Sequence, residues 1–378
     1  YDVNVYPKLD ASQYTNPDKT IGLNDGTNTD KQGSIFAGQS VTWNLATNFP
    51  TSMRIKNADG SYIYGTQAEF KDQLDANLTY QSITFSTALQ NNTTNAFSQI
   101  TPLTLTAGTD YTLSTTSGLV DLILTHSGID NVLAALPTPT TGNVAMFIPN
   151  ITTKVSSTYT NGQIGNSFVP SLTNAYGVNL NPKNKPSNPG TSSNPDGGNT
   201  PGETPDLYLG ALSIKNLDSV SGTALQGAVF GIATTSAKAA AGDFIRKAAD
   251  GTLYADKDSV PKGVTTTDYT QTTDGSGQAT FVGLQLQDST GVTSVASANT
   301  QFYISEISAP AGYNKANTPF EVTAGITNPL NKLTNNLNGS NIKLPFTGGQ
   351  GMVGLLIIAG VAAGTSIVIR RRRTSDEG

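Results

Sequence analysis

Apolar side chains recur at every second position in several stretches of this chain. Val41, Trp43 and Leu45 alternate with Thr42 and Asn44, and Val120, Leu122 and Leu124 alternate in the same way within residues 118–125. A period of two turns one face of a strand to a core and the other to water. Turn clusters such as Asn24-Asp25-Gly26 and Asn91-Asn92 interrupt these runs. Strand-like runs continue at 207–217, 228–233, 278–286, 301–307 and 320–323. Many short strands between turns predict β-sandwiches. Two stretches depart from this pattern. Residues 67–78 predict a short helix, and the Ala-rich stretch 235–249 predicts a short helical insertion. No long amphipathic helix and no alternation of strand with helix appears before the C-terminal end, which argues against an α/β enzyme fold.

Two further segments divide the chain. Residues 179–206 are dominated by Pro, Gly, Asn and Ser and offer almost nothing to a core. They read as a linker between a first unit, 9–178, and a second, 207–338. Such a linker would be the extensible and protease-sensitive element. Residues 351–369 form an uncharged run of nineteen, followed by Arg370 to Arg373. At 1.5 Å per residue that run just spans a bilayer core of roughly 30 Å. The basic block marks the cytoplasmic side, so the bulk of the chain lies outside. The predicted fold class is all-β: two tandem β-sandwiches and a C-terminal transmembrane helix.

Composition narrows the function. Only 13% of the 378 residues are charged, and the net charge is −5, so nucleic acid is not an expected partner. The absence of Cys excludes disulfides, thiolate metal sites and cysteine nucleophiles. A single histidine, His126, leaves no room for a His-rich metal centre and little for a Ser-His-Asp triad. It ends an apolar strand and reads as structural. Asp25 and Asp30 lack the spacing of a calcium loop and read as a solvated turn. No cofactor and no metal is expected.

Leu344-Pro345-Phe346-Thr347-Gly348 stands before the apolar run and the basic tail. Pentapeptide, span and tail in that order, over 344–378, resemble the cell-wall sorting signal of Gram-positive surface proteins. The resemblance implies that a sortase cuts between Thr347 and Gly348, and that membrane contact lasts only until sorting. The chain opens at Tyr1 with no basic or apolar leader. A surface protein of this kind is expected to carry a signal peptide and a further domain upstream. Val5-Tyr6-Pro7-Lys8, in the opening segment 1–8, resembles the pilin motif of sortase-assembled pili. There the lysine amine attacks the acyl-enzyme formed on another subunit's sorting signal, a role that falls to Lys8. Leu9 follows where the pattern often has Asn.

Residues 207–338 resemble the CnaB-type (SpaA-type) Ig-like domain. The carriers are Lys215, Gly222-Thr223-Ala224-Leu225-Gln226-Gly227-Ala228-Val229-Phe230, Thr273-Asp274-Gly275-Ser276-Gly277, Phe281-Val282-Gly283-Leu284, and residues 302–313 from Phe302 through Glu306 and Pro310 to Tyr313. The resemblance implies an intramolecular isopeptide bond between a lysine on the first strand and an asparagine on the last, with Glu306 as the acid. Lys215 is the lysine available in 207–230. Asn335 shares a strand face with Leu333 and Leu337 and should point inward, with Asn336 and Asn338 as alternatives. Asp218 lies three residues after Lys215, where two is usual in the family. Residues 9–178 resemble the CnaA-like middle domain of shaft pilins. The matching residues are Lys19 in Asp18-Lys19-Thr20-Ile21, Asp72 in Phe70-Lys71-Asp72-Gln73-Leu74, and Asn166 in Ile164-Gly165-Asn166-Ser167-Phe168. Taken without the resemblance, Lys19 reads as a solvated turn residue, and Lys215 with Glu306 as a buried salt bridge.

The implied chemistry needs these residue types. Burial lowers the pKa of a lysine and raises that of a carboxyl, so both approach neutrality. A neutral amine is a nucleophile, and a neutral carboxyl can polarise an amide and relay protons. Folding supplies the proximity. The event happens once and without turnover, so the chain is not expected to be an enzyme. Together the resemblances imply a shaft-type major pilin on a Gram-positive cell wall. A pilin sortase would polymerise it through Lys8 and Thr347, and a housekeeping sortase would join it to peptidoglycan. Its partners would be copies of itself and, in adhesion, a host surface ligand. The alternative is a monomeric wall-anchored adhesin or a minor basal pilin.

Overall fold

A computed structural model describes residues 17–22, 31–166, 168–181, 205–286 and 300–338. Lys8, Asp25, Asp30, the segment 182–204, the sorting pentapeptide 344–348 and the apolar run 351–369 lie outside the described residues. Among the described residues no helix is long and apolar enough to cross a membrane.

The first half begins with β1 (Asp18–Ile21), β2 (Gln32–Ser34) and β3 (Ser40–Asn48). A short hairpin, β4 (Arg54–Lys56) and β5 (Tyr62–Tyr64), leads to β6 (Gln67–Gln73) and the long β7 (Leu78–Asn91). Then come β8 (Phe97–Leu103), β9 (Tyr111–Thr116), β10 (Leu119–Leu124) and helix α1 (His126–Ala135). The half closes with β11 (Asn143–Val155), β12 (Gly162–Gly165) and β13 (Phe168–Thr173). The second half runs β14 (Asp206–Asp218), β15 (Val229–Ala233), helix α2 (Ser236–Ala241), β16 (Arg246–Ala248) and β17 (Leu253–Tyr254). It continues with β18 (Thr266–Asp268), β19 (Thr270–Thr272), β20 (Gln278–Leu284), β21 (Thr300–Ser308), β22 (Phe320–Ala324) and β23 (Leu330–Asn335).

Two β-sandwiches result, as the alternation predicts. In the first, the sheet β1-β3-β11-β7-β8 faces the sheet β13-β6-β10-β9. Trp43, Leu45, Phe70, Phe85, Leu122 and Phe147 fill the space between them. In the second, the sheet β19-β15-β21-β22 faces β14 with its neighbours β20 and β23, around Phe230, Phe281, Phe302 and Ile304.

Three expectations are corrected. Residues 67–78 are not helical. Phe70, Leu74 and Leu78 are spaced four apart and imitate a helical face, but β6 is paired on both sides, with β10 and β13. Its buried positions are Ala68, Phe70 and Asp72, a period of two. Of 235–249 only α2 is helical; Gly242 ends it in a left-handed conformation (φ 71°), and the chain turns into β16. The helix that does form in the first sandwich, α1, opens where Thr125 Oγ1 accepts from the Gly128 backbone N–H at 3.1 Å. His126 begins it, its ring stacked 4.2 Å from that of Tyr64. Finally, the boundary expected at 207 falls inside a strand: Leu180, Leu207 and Leu209 are buried in the first core, whereas Phe36 is buried in the second.

Trp43, the only tryptophan, is wholly buried in the first core, so its emission reports that sandwich. Phe147 packs there against Phe49, Phe70 and Phe85. Phe147→Ala should cost about 3–5 kcal/mol, measured as a lowered denaturant midpoint of the Trp43 emission transition.

Candidate functional site

The first cluster sits between the two sheets of the first sandwich. Lys19 is on the edge strand β1, opposite Leu45 of β3, and its side chain is 1% exposed. Asp72 is on β6 in the facing sheet, opposite Val120 and Phe168, and is wholly buried. Lys19 Nζ donates to Asp72 Oδ2 at 2.7 Å. The ammonium also lies 5.5 Å from the centroid of the Trp43 ring. Burial pushes the Lys19 amine down to about 8, against the opposing pull of Asp72. Burial likewise raises the Asp72 carboxyl, against the pull of Lys19 and of the Asn166 amide. Both shifts favour the neutral pair.

Asn166 follows β12 and is wholly buried. It is near enough to Asp72 to bear on that carboxyl, yet neither polar atom of its side chain makes a well-formed hydrogen bond. Asp72 Oδ1 is likewise buried and unpaired. An unpaired buried carboxamide is costly, so its position beside an amine and a carboxyl calls for an explanation. Lys31 braces the outer side of the cluster by donating to Asp18 Oδ1 and to the Lys19 carbonyl. Lys19 is therefore a core residue and not a solvated turn residue.

The second sandwich differs. Glu306 on β21 is 1% exposed, and its Oε2 accepts from Asn335 Nδ2 at 2.7 Å and from the Ala316 backbone N–H at 2.7 Å. Asn335, on β23, also donates to the Asn314 carbonyl at 3.0 Å. It points inward, while Asn336 and Asn338 are exposed. Lys215 does not join them, and the expected grouping of Lys215 with Glu306 and Asn335 is corrected here. Along β14, Ile214 and Asn216 are wholly buried and Lys215 is half-buried, because alternation turns it to the outer face. There its charge acts on Asp274, which lies in the turn before β20. The inward position is held by Asn216, opposite Leu333 of β23. Both amide atoms of Asn216 and the Glu306 Oε1 are buried without partners. The one signal for this in the sequence is the spacing to Asp218: two residues before it stands Asn216, not Lys215. Among the described residues no group of three His, Asp or Glu side chains could hold a metal ion.

Residues 210–337 match the family model of the SpaA prealbumin-like fold domain. No curated protein matches the chain in sequence. Among solved structures, the chain is similar to the 35 kDa C-terminal fragment of the major pilin GBS80 of Streptococcus agalactiae. The TM-score is 0.53 at 16% identity, over 85% of this chain and 99% of that one. It is also similar to the fimbrial protein FimP of Actinomyces oris, with a TM-score of 0.51 at 18% identity, over 85% of this chain and 68% of that one. At these identities the likeness is one of fold: tandem Ig-like sandwiches, as in pilins of Gram-positive bacteria.

Since Lys215 touches neither Glu306 nor Asn335, Lys215→Ala should shift stability by no more than about 0.5 kcal/mol. Glu306→Ala removes the acceptor of a buried amide and of a half-buried backbone N–H and should cost about 1–3 kcal/mol. Chemical denaturation followed by circular dichroism compares the two.

Proposed function

We propose that this chain is the shaft subunit of a sortase-assembled Gram-positive pilus, with its first sandwich closed by an amide between Lys19 and Asn166. The observation that carries the cross-link is the buried Lys19–Asp72 contact of 2.7 Å with the unpaired Asn166 carboxamide beside it. A proton passes from Lys19 Nζ to Asp72, leaving a neutral amine and a neutral carboxyl. The amine attacks Asn166 Cγ while Asp72 polarises the side-chain carbonyl. Asp72 then takes the second amine proton and delivers one to the departing nitrogen. The Nζ–Cγ bond forms, the Cγ–Nδ2 bond breaks, and ammonia leaves. The tie would join β1 to the chain after β12 and remove loop-closure entropy from the unfolded state, about 4–5 kcal/mol for a loop of ~100 residues or somewhat more.

Assembly rests on the sequence of the segments around Lys8 and Thr347. In this reading Lys8 supplies the amine, and residues 344–348 supply the acyl group that a pilin sortase transfers. The last subunit is passed to peptidoglycan. The second sandwich has no lysine at the inward position of its first strand, so it would lack this tie and be held by packing and hydrogen bonds, the Glu306–Asn335 contact among them.

Intact mass tests the cross-link. The chain should be lighter than its sequence by one ammonia, Asp72→Ala should restore that mass, and Lys215→Ala should leave the deficit unchanged. Asn216→Lys puts an amine on the face that carries Asn335 and should bring the deficit to two. An unmodified mass for the native chain overturns the cross-link. For assembly, Lys8→Ala should abolish high-mass ladders on denaturing gels and leave a wall-linked monomer; undiminished ladders would rule out the shaft role.

A further inference from the structure

Strand β14 belongs to both sandwiches. Its first four residues pair with β12, antiparallel, over Gly162 to Gly165, and Asp206 to Tyr208 pair in parallel with β2. From Gly210 onward the same strand pairs with β20, and from Ser213 with β23. Its side chains follow suit. Leu207 and Leu209 enter the first core, while Tyr208 joins Phe36 in the second.

Backbone contacts around this strand close the joint. The Ala37 N–H donates to the Gly283 carbonyl at 2.9 Å, the Gly283 N–H to Thr160 at 2.6 Å, and the Leu253 N–H to Ala37 at 3.0 Å. Ser34 Oγ accepts from the Leu286 N–H at 2.7 Å, and Asn161 Nδ2 donates to the Ile326 carbonyl at 2.6 Å. Lys154 pairs with Asp250 at 2.8 Å. Two glycines permit so close an approach. A Cβ on Gly283 would fall 2.6 Å from Ala37 Cβ, and one on Gly38 would fall 2.6 Å from Thr252 Cα.

We propose that the two sandwiches form one mechanical body spliced by β14, and that tension passes through this joint and not through residues 182–204. β14 runs out of the first sandwich into the second. Pulling the second sandwich away draws β14 along its own axis, so its bonds to β12 and β2 are loaded together in shear. The segment 182–204 joins Asn181 to Pro205, and both ends are held on the first sandwich: the Leu180 N–H donates to Leu172, and the Asn166 N–H to Pro205. That segment bears no load until β14 has been pulled free. This replaces the extensible linker expected from composition, and it holds whether or not the chain polymerises.

The test uses the full chain in detergent with a specific protease site placed within 182–204. After cutting, the two fragments should migrate as one particle of the uncut mass in native size exclusion and part only under denaturing conditions. Separation of the cut fragments under native conditions overturns the splice. Gly283→Val, which crowds Ala37, should make the cut fragments separate. Single-molecule stretching needs no variant. Extension should come only in a discrete rupture, when β14 is pulled free, and extension at low force without such a rupture would equally refute the proposal.

Discussion

A lysine and an aspartate sealed together between two sheets impose the strictest condition on this molecule. Each charge alone would lose several kcal/mol of hydration. Their mutual contact offsets part of that only while Trp43, Phe168 and the flanking strands hold both in place. The first sandwich is therefore built with a polar device at its centre, and the device becomes favourable only when the core is complete. The proposed amide, in which both partners end neutral, would turn that liability into a tie. Without cysteine, a disulfide brace is closed to the chain.

The two sandwiches solve the same problem differently. In the second, the inward position of the first strand carries a neutral amide, so no ammonium has to be buried. Glu306 then serves as an acceptor for Asn335 and for the loop at Ala316. The buried atoms left over, on Asn216 and on Glu306, mark where complementarity stops.

Much of this was legible in the sequence, and the misses have physical causes. β3 and β10 were readable because one face of each is apolar and the other polar. Asn335 was readable as inward because Leu333 and Leu337, two positions away on either side, are apolar. The strand β6 was not, because a residue spacing of four at Phe70, Leu74 and Leu78 suits either period, and only pairing on both edges decides it. Lys215 was misplaced because residue type was given more weight than phase: Asp218 fixes the phase of β14, and by that count Asn216 faces the core. The shared strand could not be read at all. Nothing in the local composition of 206–209 distinguishes a strand paired with its own unit from one paired with the unit before it.

That shared strand bears on how the chain can fold as it is made from its N-terminal end. The first sandwich emerges ahead of the second, but β2 and β12 then lack the neighbour that residues 206–209 provide. Two unpaired edges and the pocket for Leu207 and Leu209 stay open until the next stretch of chain arrives, which is the condition under which strands pair with the wrong partner. The pairing of β14 with β2 also joins residues far apart in sequence, and such contacts form late. Synthesis and folding are thereby coupled: the leading half is complete only once the start of the trailing half has followed it.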